Sequence, residues 1–260
     1  MSRMPIVFFG HGSPMIALEQ SDTTATWKTI ADRIGKPKAI LCISAHWLTH
    51  GTGVTAMDQP RTIHDFGAFP QALFDVQYPA RGAPELVARV TELLAPKPVF
   101  GDQKWGLDHG TWSVLVHAYP DADIPVAQLS MDVDISTAER WEIGKALRPL
   151  RDEGVLIMGT GNIVHNLPAM DWSDPNSPPY DWAERFNSTM LDAVMNDEPE
   201  TVINFAALGA DAQRSAPTPD HFWPLLYVLG AREEGEKAEL GPNFIQHSSL
   251  SMTSILIGAD

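Results

Sequence analysis

Four short, almost unbroken apolar runs constrain the fold of this chain more than any other feature: Ile6–Phe9, Ala39–Ser44, Ile124–Leu129 and Val155–Met158. A strand with one wet face alternates apolar and polar residues. Runs without that alternation belong to strands covered on both faces. The segments between them carry helical spacing. Pro84 opens one helix, with Leu86, Val87, Val90, Leu93 and Leu94 on one face. Ile143, Ala146, Leu147 and Leu150 mark another, closed by Pro149 and Gly154. Asp108 caps a third, running through Val114 to Tyr119. Trp182 and Phe186 begin a fourth, ahead of Leu191 and Val194, and the tail from Ser248 to Ile257 reads as a last strand. The expectation is an α/β fold: a single domain over residues 1–260, with a central, mostly parallel or mixed β-sheet flanked by helices on both faces. The proline-rich stretch from Trp172 to Tyr180 reads as a surface loop.

Composition narrows the partners. The 260 residues suffice for a sizeable core, and 44% are apolar. Eighteen basic residues stand against 33 acidic ones, a formal charge of −15. Such a field repels phosphate backbones and anionic bilayers, so neither nucleic acid nor membrane is an expected partner. The one cysteine, Cys42, lies inside an apolar run and reads as a small buried hydrophobe, excluding a disulfide framework and a thiolate zinc site. There is no apolar stretch of membrane-spanning length and no signal-peptide pattern, so a cytoplasmic location is expected.

The informative residues are the nine histidines. His11 follows the first apolar run, His46 the second, and His165 the fourth after a glycine-rich turn. Open α/β sheets bind ligands at the carboxyl ends of their strands, so these three have a common point on which to converge. His221 lies at the amino end of a helix that starts near Asp220, because Pro224 belongs in a first turn. The dipole there favours neutral imidazole, the form a metal ligand requires. His109 opens the Asp108-capped helix, and His64 sits in the loop "TIHDFGAFP". His50, His117 and His247 read as ordinary hydrogen-bonding residues. "GTGNIVHN" lacks the third glycine of a dinucleotide fingerprint, and Ser13 reads as a turn residue rather than a nucleophile. Trp105, Trp112, Phe222 and Trp223 read as a core set, some of it a candidate aromatic wall for the pocket.

Imidazole-rich ligation suits zinc, iron, nickel or copper. Histidine triads leave coordination positions open for substrate, and a further histidine nearby serves as acid and base. Two enzyme classes stay open at this point, a metal-dependent oxygenase and a zinc hydrolase acting on an amide or ester.

The segments "GHGSPM", "SAHW", "GTGVTAM", "IHDFGAFPQALFDVQYPA", "WGLDHGTWSVL", "IPVAQLSMD", "GNIVHNL" and "PYDWAERFN" occur in this order from Met4 to about Gly258. Together they resemble the class III extradiol ring-cleavage dioxygenases, the LigB-like superfamily, and most of all its 4,5-DOPA dioxygenase extradiol branch. The resemblance implies cleavage of a catechol ring beside its two hydroxyls, with O2 as co-substrate and one divalent metal, Fe(II) for activity or Zn(II) as found. It implies His11, His46 and His221 as metal ligands, His221 standing where the broader family has glutamate. It implies His165 as the acid/base residue and possible fourth ligand, His109 as a catalytic residue beside the metal, and His64 at the substrate's edge. A related use of the same fold, in Memo-type proteins, is non-enzymatic binding. An anionic substrate needs a local cation, for which Arg61, Arg185 and Arg214 are the candidates.

Overall fold

Residues on alternate positions of the first strand bury into opposite halves of the core. Ile6 and Phe8 join one hydrophobic cluster and Val7 and Phe9 the other, and all four are essentially inaccessible. This is the strand period of two, with both faces covered. The structure is a computed structural model describing residues 3–259; Met1, Ser2 and Asp260, at the limits of the expected domain, lie outside the described residues.

Ten strands are formed among the described residues: β1 (Ile6–Gly10), β2 (Ala39–Thr49), β3 (Thr52–Thr55), β4 (Val99–Asp102), β5 (Val126–Asp132), β6 (Val155–Gly161), β7 (Ala238–Leu240), β8 (Ile245–Gln246), β9 (Leu250–Ser251) and β10 (Ile255–Ile257). Eight make one sheet in the order β4-β3-β5-β2-β6-β1-β10-β7, and β8 and β9 form a separate ribbon. The central four, β5, β2, β6 and β1, are parallel. Antiparallel pairs join β3 to β5 and β10 to β1, so the sheet is mixed, as expected.

The helices are α1 (Asp22–Ile34), α2 (Gln71–Phe74), α3 (Pro84–Leu94), α4 (His109–Ala118), α5 (Thr137–Leu147), α6 (Asp181–Met195), α7 (Pro199–Ile203), α8 (Ala210–Ser215) and α9 (Trp223–Gly230). α1 and α4 cover one face of the sheet, through Trp27, Ile30, Trp112 and Leu115. α3, α5, α6 and α9 cover the other, through Val90, Leu147, Phe186 and Leu225. Cys42 is buried under α4, with its sulfur 3.3 Å from Thr111 Oγ1.

Several boundaries differ from expectation for local reasons. The strand read from Ile124 begins at Val126, beyond Pro125, which has no N–H to give a ladder. The strand read as ending at Ser44 continues to Thr49, with a register irregularity between Ile43 and Leu48. The tail read as one strand is two, β9 and β10. The irregularity in β2 matters for function, because His46 lies in it.

Candidate functional site

The parallel registers bring the carboxyl ends of three strands level. Ser44 of β2 pairs with Thr160 of β6, and Gly161 of β6 with Gly10 of β1. His11 leaves β1 immediately after Gly10, its N–H donating to Gly161 O at 3.2 Å. A Cβ on Gly10 would lie 2.4 Å from Thr253 O, so glycine is needed here for close backbone packing, and its φ is not in the left-handed region. Asn162 ties the next layer together. Its side-chain N–H groups donate to His11 O at 2.5 Å and Ser251 O at 2.7 Å, and its backbone N–H donates to His221 O at 2.8 Å. His221 ends a 3-10 turn over Pro219–His221 that leads into α9, close to its expected place at a helix start.

His109 opens α4 behind the capping Asp108, whose side chain accepts from Thr111 N–H as expected. The Asp108 carboxylate is wholly buried and also accepts from Ser44 Oγ at 2.6 Å and Gln128 Nε2 at 2.7 Å. That network clamps the start of α4 to β2, two residues before His46. Burial, and then the nearby charge of Asp65, push the Asp108 carboxyl above its ordinary range. Gly110 makes room for the clamp, since a Cβ there would stand 2.8 Å from the His46 ring.

Six imidazoles line one pocket, and five of them, His11, His46, His109, His165 and His221, cluster at its base. Nε2 of His11 and Nε2 of His46 face each other at 3.0 Å. Ligand nitrogens of His11, His46 and His109 all lie within 4.8 Å of one another. The His221 ring centre is 5.5 Å from that of His11 and 4.9 Å from that of His46. His165 stacks on His221 at 3.5 Å, almost parallel. Burial first, then the neighbouring imidazoles, hold His11 and His46 well below the ordinary histidine pKa. The same causes bring His165 down to about 3. His11, His46 and His165 are therefore neutral lone-pair donors, which is the state metal binding needs.

Two carboxylates orient the rings. Asp220 Oδ2 accepts from His221 Nδ1 at 2.6 Å, leaving Nε2 free. Burial alone would raise Asp220, but hydrogen bonding and charge from His221 hold it at about 2. Asp65 accepts from the His109 backbone N–H at 2.9 Å, and its Oδ2 lies 3.0 Å from His109 Nδ1, though poorly aligned for a hydrogen bond. Both carboxylates sit beside a histidine in sequence, as His64-Asp65 and Asp220-His221. That adjacency was the available signal for them; Asn162 carried none beyond its place after a strand.

The remaining lining is Gly12, Ser13, Pro14, Phe69, Leu167, Met170, Trp172, Gln246, His247 and Leu250, around a volume of about 300 Å³. A cavity of about 150 Å³ accommodates benzene, so this one has room for a substituted ring. A larger cleft, about 550 Å³, opens beside Lys38, Arg81 and Glu153 at the opposite end of the sheet, and no histidine lines it.

Other expected residues fall elsewhere. His64 does not line the pocket; its Nε2 meets Val76 O at 3.0 Å and its ring packs on Phe66, Phe74 and Trp112. Trp105 stacks on Trp47, Phe222 on Phe205, and Trp223 under Arg140, so the pocket's aromatics are Phe69 and Trp172 instead. None of Arg61, Arg185 and Arg214 reaches it: Arg61 bonds Trp105 O, Arg185 pairs with Asp211, and Arg214 lines a separate cleft. His50 and His117 are hydrogen-bonded to Asp134 and to Ile16 O, while His247 stands on the pocket wall.

Comparison with known proteins adds to this geometry. Residues 5–258 match the family described as the catalytic LigB subunit of aromatic ring-opening dioxygenase. The chain is 47% identical to the 4,5-DOPA dioxygenase extradiol of Escherichia coli (strain K12), over 99% of this chain and 96% of that protein. It is 41% identical to the protein of the same name from Beta vulgaris, over 90% and 88%. The crystal structure of an uncharacterized protein from Escherichia coli K12 has a TM-score of 0.86 at 42% identity, covering 98% of this chain and 100% of that one.

Proposed function

The chain belongs to the family of the catalytic LigB subunit of aromatic ring-opening dioxygenases, and from that premise we propose that its histidine pocket binds a catechol and opens the ring beside the two hydroxyls. The relatives' names make DOPA-like dihydroxyphenyl compounds the first substrates to consider. The observation that carries the reading is the facing pair of neutral imidazole nitrogens, 3.0 Å apart, with His109, His165 and His221 around them. Two ligands on one tetrahedral zinc stand roughly 3.3 Å apart, given Zn–N distances of about 2.0–2.1 Å. The donor set therefore fits a single metal ion.

His11 and His46 would hold the ion, with His221 as third ligand. His221 is favoured over His109 because its Nδ1 makes a short, aligned bond to a carboxylate, the arrangement that orients ligating histidines. A bound Fe(II) supplies the one-electron chemistry that joins dioxygen to a catechol ring, which redox-inert Zn(II) does not. Fe(II) is thus the ion of the active enzyme, and Zn(II) an occupant that leaves it silent.

The protein's own groups do the rest. His165, held low in pKa by burial, becomes a stronger base beside a developing catecholate, because a nearby negative charge favours imidazolium. It takes a hydroxyl proton on a ring nitrogen and returns it later in the reaction. His109, held by Asp65, presents its other nitrogen to a substrate oxygen. Phe69, Met170 and Leu250 keep the ring in an apolar slot that water fills poorly.

The test is oxygen consumption by protein stripped of metal and reloaded anaerobically with either Fe(II) or Zn(II), then given a panel of catechols including DOPA. Uptake with Fe(II) alone, with a yellow semialdehyde product, is the expected result. No uptake with either metal on any catechol would refute the reading.

A further inference from the structure

We propose that Trp172, Gln246 and His247 form a subsite for the substituent on the catechol ring, and that it prefers a tail carrying a hydrogen-bond donor, an ammonium above all, to one carrying a carboxylate. The inference rests on the ring-cleavage reading of the same pocket, whose wall these three residues share with the other five histidines.

The chemistry follows from how His247 is held. Its Nδ1 lies 2.8 Å from Asp171 O, and a carbonyl only accepts, so Nδ1 carries the proton. In the neutral ring Nε2 is then an acceptor. The backbone reinforces this placement. His247 and Ser248 both lie in the left-handed region, at φ 49° and 65°, an uncommon state for non-glycine residues. Four hydrogen bonds hold them there against the 171–180 loop: Asp171 N–H to His247 O, His247 N–H to Pro175 O, Tyr180 N–H to Ser248 O, and the Nδ1 bond itself. The same contacts hold Trp172, whose ring centre is 5.6 Å from that of His247 and which is 69% exposed. A large aromatic held open at a pocket mouth offers its face to a cation. Gln246 extends the polar wall toward His11, its Oε1 3.6 Å from where a Cβ on Gly12 would stand.

The charge balance agrees. Among the described residues no lysine or arginine lines the pocket, and the ionised Asp171 lies next to Trp172, bonded to Ser173 and Ser177. A carboxylate tail would meet an acceptor nitrogen, an aromatic face and a negative field. An ammonium meets favourable partners in all three.

The experiment is calorimetric binding to the metal-loaded protein, without oxygen and at pH 8. It uses three probes with the same ring: 4-methylcatechol, dopamine and 3,4-dihydroxyphenylacetate. Dopamine is expected to bind at least about tenfold tighter than the acetate, the scale of one charged hydrogen bond. His247→Asn keeps a residue that tolerates the left-handed region and withdraws the imidazole. It should bring dopamine and the acetate within about threefold while 4-methylcatechol stays within about twofold of wild type. Trp172→Leu, a change at an exposed side chain, should weaken dopamine several-fold and spare the other two. Equal or tighter binding of the acetate by wild type, or a ratio unmoved by both variants, would overturn the subsite. Failure of 4-methylcatechol to bind the wild type would overturn the catechol reading, and the subsite with it.

Discussion

Each histidine of the pocket has a different neighbour, and the neighbour sets what the ring can do. His165 has no carboxylate partner and stacks on His221, so it is free to exchange a proton. His165→Ala is expected to lower turnover by about 10²–10⁴-fold, the range for a lost general acid/base group. Metal content should be unchanged; wild-type oxygen uptake in this variant would remove His165 from the mechanism. His221 and His109 both sit near carboxylates, and they separate by metal affinity. With His221 as the third ligand, His221→Ala should lose more than about 100-fold in affinity, and His109→Ala no more than the roughly 10–100-fold of a group outside the ligand set. Metal per chain after dialysis against a competing chelator checks this. The reverse order would make His109 the ligand, as the 4.8 Å nitrogen cluster also allows.

At the scale of elements, the site depends on how closely α9 approaches α5, since His221 enters the pocket from the turn just before α9. Two glycines set that distance. A Cβ on Gly144 of α5 would lie 2.1 Å from Tyr227 O, and one on Gly230 of α9 would lie 2.2 Å from Trp141 O. Gly144→Ala must therefore push the helices apart. Overpacking of this kind costs about 1–3 kcal/mol, and at roughly 2–4 °C per kcal/mol for a domain this size the melting temperature should fall measurably. Metal affinity should fall with it; an unchanged melting curve would mean that α9 is not seated by this contact. These elements were unequally legible in the sequence. β1, the start of β2, and β6 announce themselves as apolar runs because both faces are buried. β3, β4 and β7 are short and contain glycine or acidic residues, and they form by extending a sheet already present. The break between β9 and β10 arises where the chain turns to pack against Gly10, a tertiary contact with no local signal. His11, His46 and His165 were visible because strand ends converge by topology, and His221 because Pro224 marks a helix start. Trp172, Gln246 and His247, the residues of the proposed subsite, were not, because loop-to-loop bonds bring them together.

For the whole molecule, a metal held by the proposed ligands His11, His46 and His221 would be a cross-link across sequence. His11 and His221 come from opposite ends of the chain and His46 from the centre of the sheet, so the complete site exists only in the folded protein. Binding then stabilises the native state by mass action, with little competition from the unfolded chain. The anionic surface, −15 overall, favours uptake of a divalent cation. Free metal at about 100 times its dissociation constant adds about 2.7 kcal/mol, which corresponds to roughly 5–10 °C in melting temperature for a domain of this length. Chelator-stripped protein should melt lower by that margin. Its melting temperature should climb with the logarithm of added Zn(II) and level off only when the unfolded chain begins to bind. The dependence on concentration is the decisive feature, because damage during stripping would lower the melting temperature without making it respond to metal. His11→Ala should abolish the response, since it removes one of the two facing nitrogens. A stripped protein that melts at the same temperature with and without Zn(II) would show that these imidazoles hold no metal in solution.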